Sequence, residues 1–395
     1  MVYETHWDSL TLQLAVKTNG TYFKFTYIND GGRDMEIELF REKLLEVMPL
    51  NARELDAKAM NLCRQNWDKL AKPLKSMGAF EDILTQIAGI KGSAKININK
   101  KAIVVMCSDN GVVEEKVTQT DSYVTTAVTI NMGKGKGNIN KLAKASGAKV
   151  IPVDIGICQD IDSPEILHKK IAYGTKNIAK EPAMNREQVM KAIAIGMDLV
   201  KELKAEGYEL IGTGEMGIGN TTTSSAITSV LLNLHPKEVT GKGAGLTMEG
   251  IQQKIKTIEK AIHLHQPNPN NPLDILSKLG GYDIAGLTGV FLGGMVYQVP
   301  IVIDGFISSV AALLAVRIRK EAIHYMIPSH LSMEPACQYI MKELGLSPMI
   351  HGNLALGEGS GAAFLFPLLD MACDMYLEGS TFEDISVPAY EHLTN

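Results

Sequence analysis

Apolar residues follow two different spacings along this chain. Residues 102–106, 150–155, 209–211 and 299–303 form short, mostly apolar runs, the pattern of strands buried on both faces. Between and after them, residues 189–203, 251–263 and 310–319 carry apolar positions at helical spacing. Such alternation predicts βα units around a parallel sheet. Residues 1–36 differ: Leu10, Leu12 and Leu14, then Tyr22, Phe23, Phe25 and Tyr27, give strand-like runs punctuated by Asn19 and Gly20 and by the turn-rich segment 29–32. A β-hairpin or an edge addition is expected there. From residue 34 to 66 the pattern turns helical, and Asn51 with Glu54 has the spacing of a capping box, which predicts a helix from about residue 51. Lys72 and Pro73 interrupt it, and a further helix is expected over residues 80–90. Residues 267–272, with three prolines and three asparagines, read as a surface linker between two helices. No internal repeat is present at the periods of solenoid proteins.

Composition narrows the class. The 395 residues suffice for two to three domains and a large buried core. Against 39 Lys and Arg stand 44 Asp and Glu, so the net charge of −5 excludes a chain-wide affinity for nucleic acid or an anionic membrane. Thirty-six glycines and 6% aromatic residues, with no collagen period and no polar low-complexity tract, fit a compact α/β enzyme. Cys63, Cys107, Cys158, Cys337 and Cys373 are widely spaced and show no CxxC, which favours reduced thiols over a disulfide framework or a zinc site. No apolar stretch reaches the length of about 18 residues that a membrane span needs. With no basic, then apolar, leader at residues 1–20, a cytoplasmic protein is expected.

The most informative segment is 212–223. Gly212, Gly214, Gly217 and Gly219 surround Glu215 and precede Asn220, Thr221, Thr222 and Thr223, after a predicted strand and before a predicted helix. Glycines let backbone approach a ligand closely, and a helix N-terminus offers free N–H groups to an anion. The segment matches GxGxxG, so a dinucleotide site and a dehydrogenase are one reading; simple tight packing of helix on strand is another. It also approaches the P-loop pattern, but Asn220 replaces the lysine, which argues against nucleoside triphosphate hydrolysis. Two further glycine clusters, 133–137 with Lys134 and Lys136, and 241–245 shortly before Lys254, offer either anion sites or ordinary solvated lysines.

Carboxylates complete the candidate chemistry. Glu358 lies between Gly357 and Gly359 before an apolar helix over 362–371, where apolar flanks would raise its pKa toward that of a general base. A helix-entry carboxylate held by the macrodipole is the plainer alternative. Asp304 follows the apolar run 299–303, at the strand end where open α/β sheets bind ligands. His330, Ser332 and Glu334 fall within five residues at a spacing that suits a loop better than one helix face. The nine histidines show no metal-ligand spacing.

With these residues in place, the chain resembles the nicotinate-nucleotide:dimethylbenzimidazole phosphoribosyltransferases over about residues 51–375. Residues 70–78 look like that family's KPPGSLG segment and 108–115 like its DHGVxxEGVS segment. Residues 214–222 nearly repeat its most specific signature, and 304–306, 330–335 and 356–361 follow in family order. The resemblance implies a Rossmann-like parallel sheet with helices on both faces, over residues 96–355. A smaller helical domain would be built from a 37–95 arm and from 356–395, with 1–36 as a strand-like extension.

It also implies the activity: transfer of the ribose phosphate of nicotinate mononucleotide to a lower-ligand base such as 5,6-dimethylbenzimidazole, with no cofactor and no metal. Glu358 matches the general base, and Glu215 and Asp304 match acidic active-site positions. Gly217, Gly219, Asn220, Thr221, Lys254, Ser332 and Gly357 fall where the nucleotide and its phosphate bind. Thr118 and Thr126 stand where relatives often place Ser and Gln against the benzimidazole; Lys116 replaces a Gly and Asn110 the usual His. The family's dimers imply a homodimer. A heterodimer with a homologous chain is the alternative, since heterodimeric relatives attach phenol or p-cresol through an O-glycosidic bond.

Overall fold

The computed structural model describes residues 52–392 and the backbone of strands Tyr3–Asp8, Thr11–Thr18 and Thr21–Ile28. The predicted turns at 19–20 and 29–32, the helical pattern from 34 to 51 and the Asn51 cap lie outside the described residues. The chain divides into two compact units, Met1–Asn51 and Ala52–Asn395.

In the first unit the three strands β1 (Tyr3–Asp8), β2 (Thr11–Thr18) and β3 (Thr21–Ile28) form an antiparallel sheet in sequence order. Trp7 pairs with Leu12, Leu14 with Phe25 and Val16 with Phe23.

The second unit holds a six-stranded parallel sheet: β4 (Lys101–Ser108), β5 (Ala148–Gly156), β6 (Leu167–His168), β7 (Leu210–Met216), β8 (Ile301–Ile303) and β9 (Met326–Pro328), in the order β6-β5-β4-β7-β8-β9. This is the doubly wound Rossmann order, and it reverses between β4 and β7, where loops at the carboxyl ends of the strands diverge and leave a crevice. Every residue of β4 is buried, as expected of a central strand covered on both faces. On one side, helix Tyr282–Tyr297 lies against β4, β5 and β7, and helix Arg186–Ala205 packs over it. Because residues Tyr282 to Met295 are buried on all faces, that helix has no polar stripe. On the other side, helix Ser360–Glu378 crosses β7 and β8.

The helices Ala57–Lys69 and Ala79–Lys91 join that second layer. Cys63, Trp67, Leu84 and Ile87 share one core with Phe366, Leu369 and Tyr376, and the rings of Trp67 and Tyr376 stand 5.0 Å apart. The first of these helices starts at Ala57, six residues later than the sequence pattern predicts. Asp56 caps it by accepting from the Ala59 N–H at 2.9 Å, while residues 52–56 stay non-helical because Tyr325 Oη donates to the Arg53 carbonyl and the Asp56 N–H to that of Gly89. Among the described residues no helix is long and apolar enough to cross a membrane.

Candidate active site

Strand β7 brings the fold's chemistry together through what its glycines omit. Gly212 and Gly214 face helix Ser360–Glu378 and the turn before it. A Cβ on Gly214 would stand 2.6 Å from the carbonyl carbon and oxygen of Glu358, and one on Gly212 2.7 Å from Ala362 Cβ. Two side-chain-free positions therefore let the turn sit directly on the strand. In that turn Gly357, Glu358 and Gly359 all adopt positive φ, +76°, +60° and +91°. For a glutamate this conformation costs about 1–3 kcal/mol and persists only where its surroundings impose it. Asp304, just beyond β8, supplies part of that restraint by accepting from the Gly359 N–H at 3.1 Å and the Gly361 N–H at 2.6 Å.

The result is a cavity of about 260 Å³ lined by Glu215, Asp304 and Glu358. Its remaining walls are residues 216–218, Asn220 and Thr221 from the β7 turn, Gly243 and Ala244, residues 305–308, His330, Ser332, Glu334 and residues 355–357, with Val128. It lies at the carboxyl ends of β7, β8 and β9, beside the reversal in strand order. A larger open groove, about 730 Å³, runs along helix Ala57–Lys69; the one carboxylate in its lining, Asp56, is already engaged in capping.

Burial drives the electrostatics. It pushes the Glu215 carboxyl up to about 8, helped by the negative Asp283, Asp304 and Glu358 and opposed by the Asn220 amide, which donates to Glu215 Oε2. Asp304 rises to about 6 for the same reason, against the N–H groups of Gly361 and Gly359. Glu358 is raised by burial and by Asp304, and restrained by the Ile139 N–H, 3.3 Å from its Oε2 at the start of helix Asn138–Ala145. His330 is lowered to about 4 by burial and stays neutral near pH 7.

Lys254 Nζ, fully buried, donates to Thr221 Oγ1 at 2.7 Å. Burial lowers it to about 8 while Glu334 pulls it back upward. Glu334 in turn accepts from the Gly243 N–H at 2.8 Å. A cation and the N-terminal end of helix Asn220–Leu232 thus stand together, an arrangement suited to an anion.

A family model described as Phosphoribosyltransferase, DBI_PRT, matches residues 52–387. The chain belongs to this family. Two similar relatives, both named nicotinate-nucleotide–dimethylbenzimidazole phosphoribosyltransferase, come from Clostridium acetobutylicum and Ruminiclostridium cellulolyticum. The first is 48% identical over 86% of this chain and 96% of its own; the second is 48% identical over 86% and 97%. Among solved structures, CobT from Thermus thermophilus superposes with a TM-score of 0.80 at 34% identity, covering 84% of this chain and 99% of that one.

Within this phosphoribosyltransferase, eight of the residues given a site role by the family resemblance line one cavity: Glu215, Gly217, Asn220, Thr221, Asp304, Ser332, Gly357 and Glu358. Lys254 reaches it through Thr221, and Gly219, with φ of +97°, forms the cap that starts the helix. Thr118 and Thr126 are not in the lining. Thr118 donates to the Thr120 carbonyl, and Thr126 is buried on helix Tyr123–Gly133. Asn110 is also outside the lining; it is buried beneath the β7 turn, where Thr223 Oγ1 donates to its Oδ1 at 3.4 Å. Lys134 and Lys136 are exposed, and the glycine segment they interrupt serves instead to start the helix whose Ile139 N–H meets Glu358.

Sequence reasoning missed Asp283 and gave Glu334 no role. The available signal for Asp283 was a lone carboxylate, after Gly280 and Gly281, opening an otherwise apolar helix.

Proposed function

We propose that the cavity binds nicotinate mononucleotide and an azole, 5,6-dimethylbenzimidazole or a close relative, and transfers the ribosyl phosphate between them in the assembly of a cobamide lower ligand. The observation that carries this reading is the content of one small cavity: Glu215, Asp304 and Glu358 line it together with the start of helix Asn220–Leu232, and the buried Lys254 reaches it through Thr221. Substitution at C1′ of the ribose needs this arrangement. The azole nitrogen attacks C1′ as the bond to nicotinate breaks; its electron pair returns to the ring nitrogen, which loses its positive charge. The azole N–H proton passes to Glu358, whose raised pKa suits a general base. Positive charge spreads over the ribose in the transition state, where ionised Glu215 and Asp304 stabilise it electrostatically. Lys254, Thr221 and the turn through Gly217 and Gly219 hold the phosphate, with Asn220, Ser332 and Gly357 shaping the nucleotide pocket.

On this reading the working unit is a dimer, either of this chain or with a homologous one. Phe364 and Met371, exposed along helix Ser360–Glu378, support a covered face there. The buried free thiols Cys63, Cys107, Cys337 and Cys373 are in keeping with the cytoplasm. Nicotinate release from nicotinate mononucleotide, dependent on added azole, tests the function; a mass measurement in solution tests the dimer, and a monomer at working concentration contradicts it.

A further inference from the structure

The geometry points to Asp283 as a positioning residue: it takes one hydrogen of the Asn220 amide and thereby aims the other at Glu215. Asp283 does not line the cavity and is fully buried in the first turn of helix Tyr282–Tyr297. Its hydrogen bond to the site runs through Asn220, whose Nδ2 donates to Asp283 Oδ2 at 2.9 Å and to Glu215 Oε2. An amide nitrogen carries two hydrogens, so two carboxylates use both. They also fix which end of the amide faces Glu215. With the second acceptor gone, the amide is free to turn its oxygen toward the carboxylate and repel it.

The surroundings are shaped for this carboxylate. A Cβ on Gly217 would stand 2.7 Å from Asp283 Oδ2, and one on Gly281 2.3 Å from its Oδ1. Two neighbouring backbones have no side chain where the carboxylate needs space. Folding alone does not call for it. A buried carboxylate set near a second one is costly, although the N–H groups of Asp283 and Ile284 at the helix start offset part of that. The groups facing Glu215 are Asn220, Asp283, Asp304 and Glu358, and Asp109 faces Asp283 from the loop after β4. Loss of the aimed Asn220 N–H, a larger influence on Glu215 than the Asp283 charge, makes Glu215 harder to ionise.

The inference rests on the phosphoribosyl-transfer reading, and the test separates the two. Nicotinate release by the full chain is followed against pH for wild type, Glu215→Gln, Asp283→Asn and the double variant. The limb that Glu215→Gln abolishes belongs to Glu215. Asp283→Asn is expected to lower kcat roughly tenfold or more with a smaller change in KM, to move that limb to higher pH, and to cost almost nothing further in the Glu215→Gln background. A limb that stays in place or moves to lower pH, or the full loss repeated in that background, overturns the role and leaves Asp283 a packing residue. Should Asp283→Asn not fold, Asp283→Ser, which keeps a helix-capping oxygen, takes its place; failure of both to fold also makes the residue structural and overturns the proposal. No release by wild type refutes the transfer reading, whereas an active wild type with an unmoved limb refutes only the role of Asp283.

Discussion

Glu358 is held by its strained turn, by Asp304 acting on the adjoining N–H groups and by the Ile139 N–H. Glu358→Gln preserves that geometry and removes only the proton acceptor. General-base catalysis contributes about 10²–10⁴ in rate, so the variant is expected to lose kcat by that order while binding nicotinate mononucleotide as before, measured by titration calorimetry. Unchanged turnover would remove Glu358 from the role. Glu215 and Lys254 set the pH dependence with opposite signs. Glu215, pushed up to about 8, must lose its proton to face the ribosyl cation, so kcat/KM rises with pH through that value. Lys254, lowered to about 8, must keep its proton to hold the phosphate, so kcat/KM falls beyond it. A narrow maximum near pH 8 is expected. Lys254→Met is expected to abolish the descending limb and to raise KM about ten- to hundredfold, the worth of a charged hydrogen bond of about 1.5–3 kcal/mol. A flat profile from pH 6 to 9 contradicts both assignments.

At the level of elements, the contact of β7 with the Glu358 turn is the feature on which the site depends. Gly214→Ala places a Cβ against the Glu358 backbone, whereas Gly212→Ala places it against Ala362 and Phe366, farther along the helix. Both variants should lose about 1–3 kcal/mol of stability by overpacking, read from denaturant midpoints. Only Gly214→Ala should also lose most of its turnover, because it displaces the catalytic turn; equal activity in the two variants would mean that the turn tolerates the shift. The same strand shows where sequence reading stops. Its apolar start, residues 210 and 211, was legible, but residues 212–216 combine glycine, threonine and glutamate and have weak strand propensity. Their extended form is imposed by pairing with β4, from Lys101 opposite Leu210 to Cys107 opposite Met216. Asp304 was legible because it directly follows an apolar strand. Asp283 was not, since an acidic residue in the first turn of a helix is ordinary in any sequence, and its significance comes from Asn220, 63 residues away in the chain.

Across the whole molecule, the family match begins at residue 52, where the second compact unit also begins. Every residue assigned to the transfer lies in that unit. A chain starting at Ala52 is therefore expected to keep the kcat of the full protein within about threefold, the spread usual for changes remote from the chemistry; loss of nicotinate release by a folded truncation would assign residues 1–51 a part in catalysis. Nicotinate release by the purified full chain decides whether it is a self-sufficient transferase. Nicotinate mononucleotide is offered with 5,6-dimethylbenzimidazole, adenine, phenol or p-cresol in parallel. Release that depends on an azole, with equimolar α-ribotide formed, is the predicted result. Release with a phenol alone would transfer the reading to O-glycoside formation, and no release with any acceptor from folded protein would contradict the account of this chain as a self-sufficient phosphoribosyltransferase.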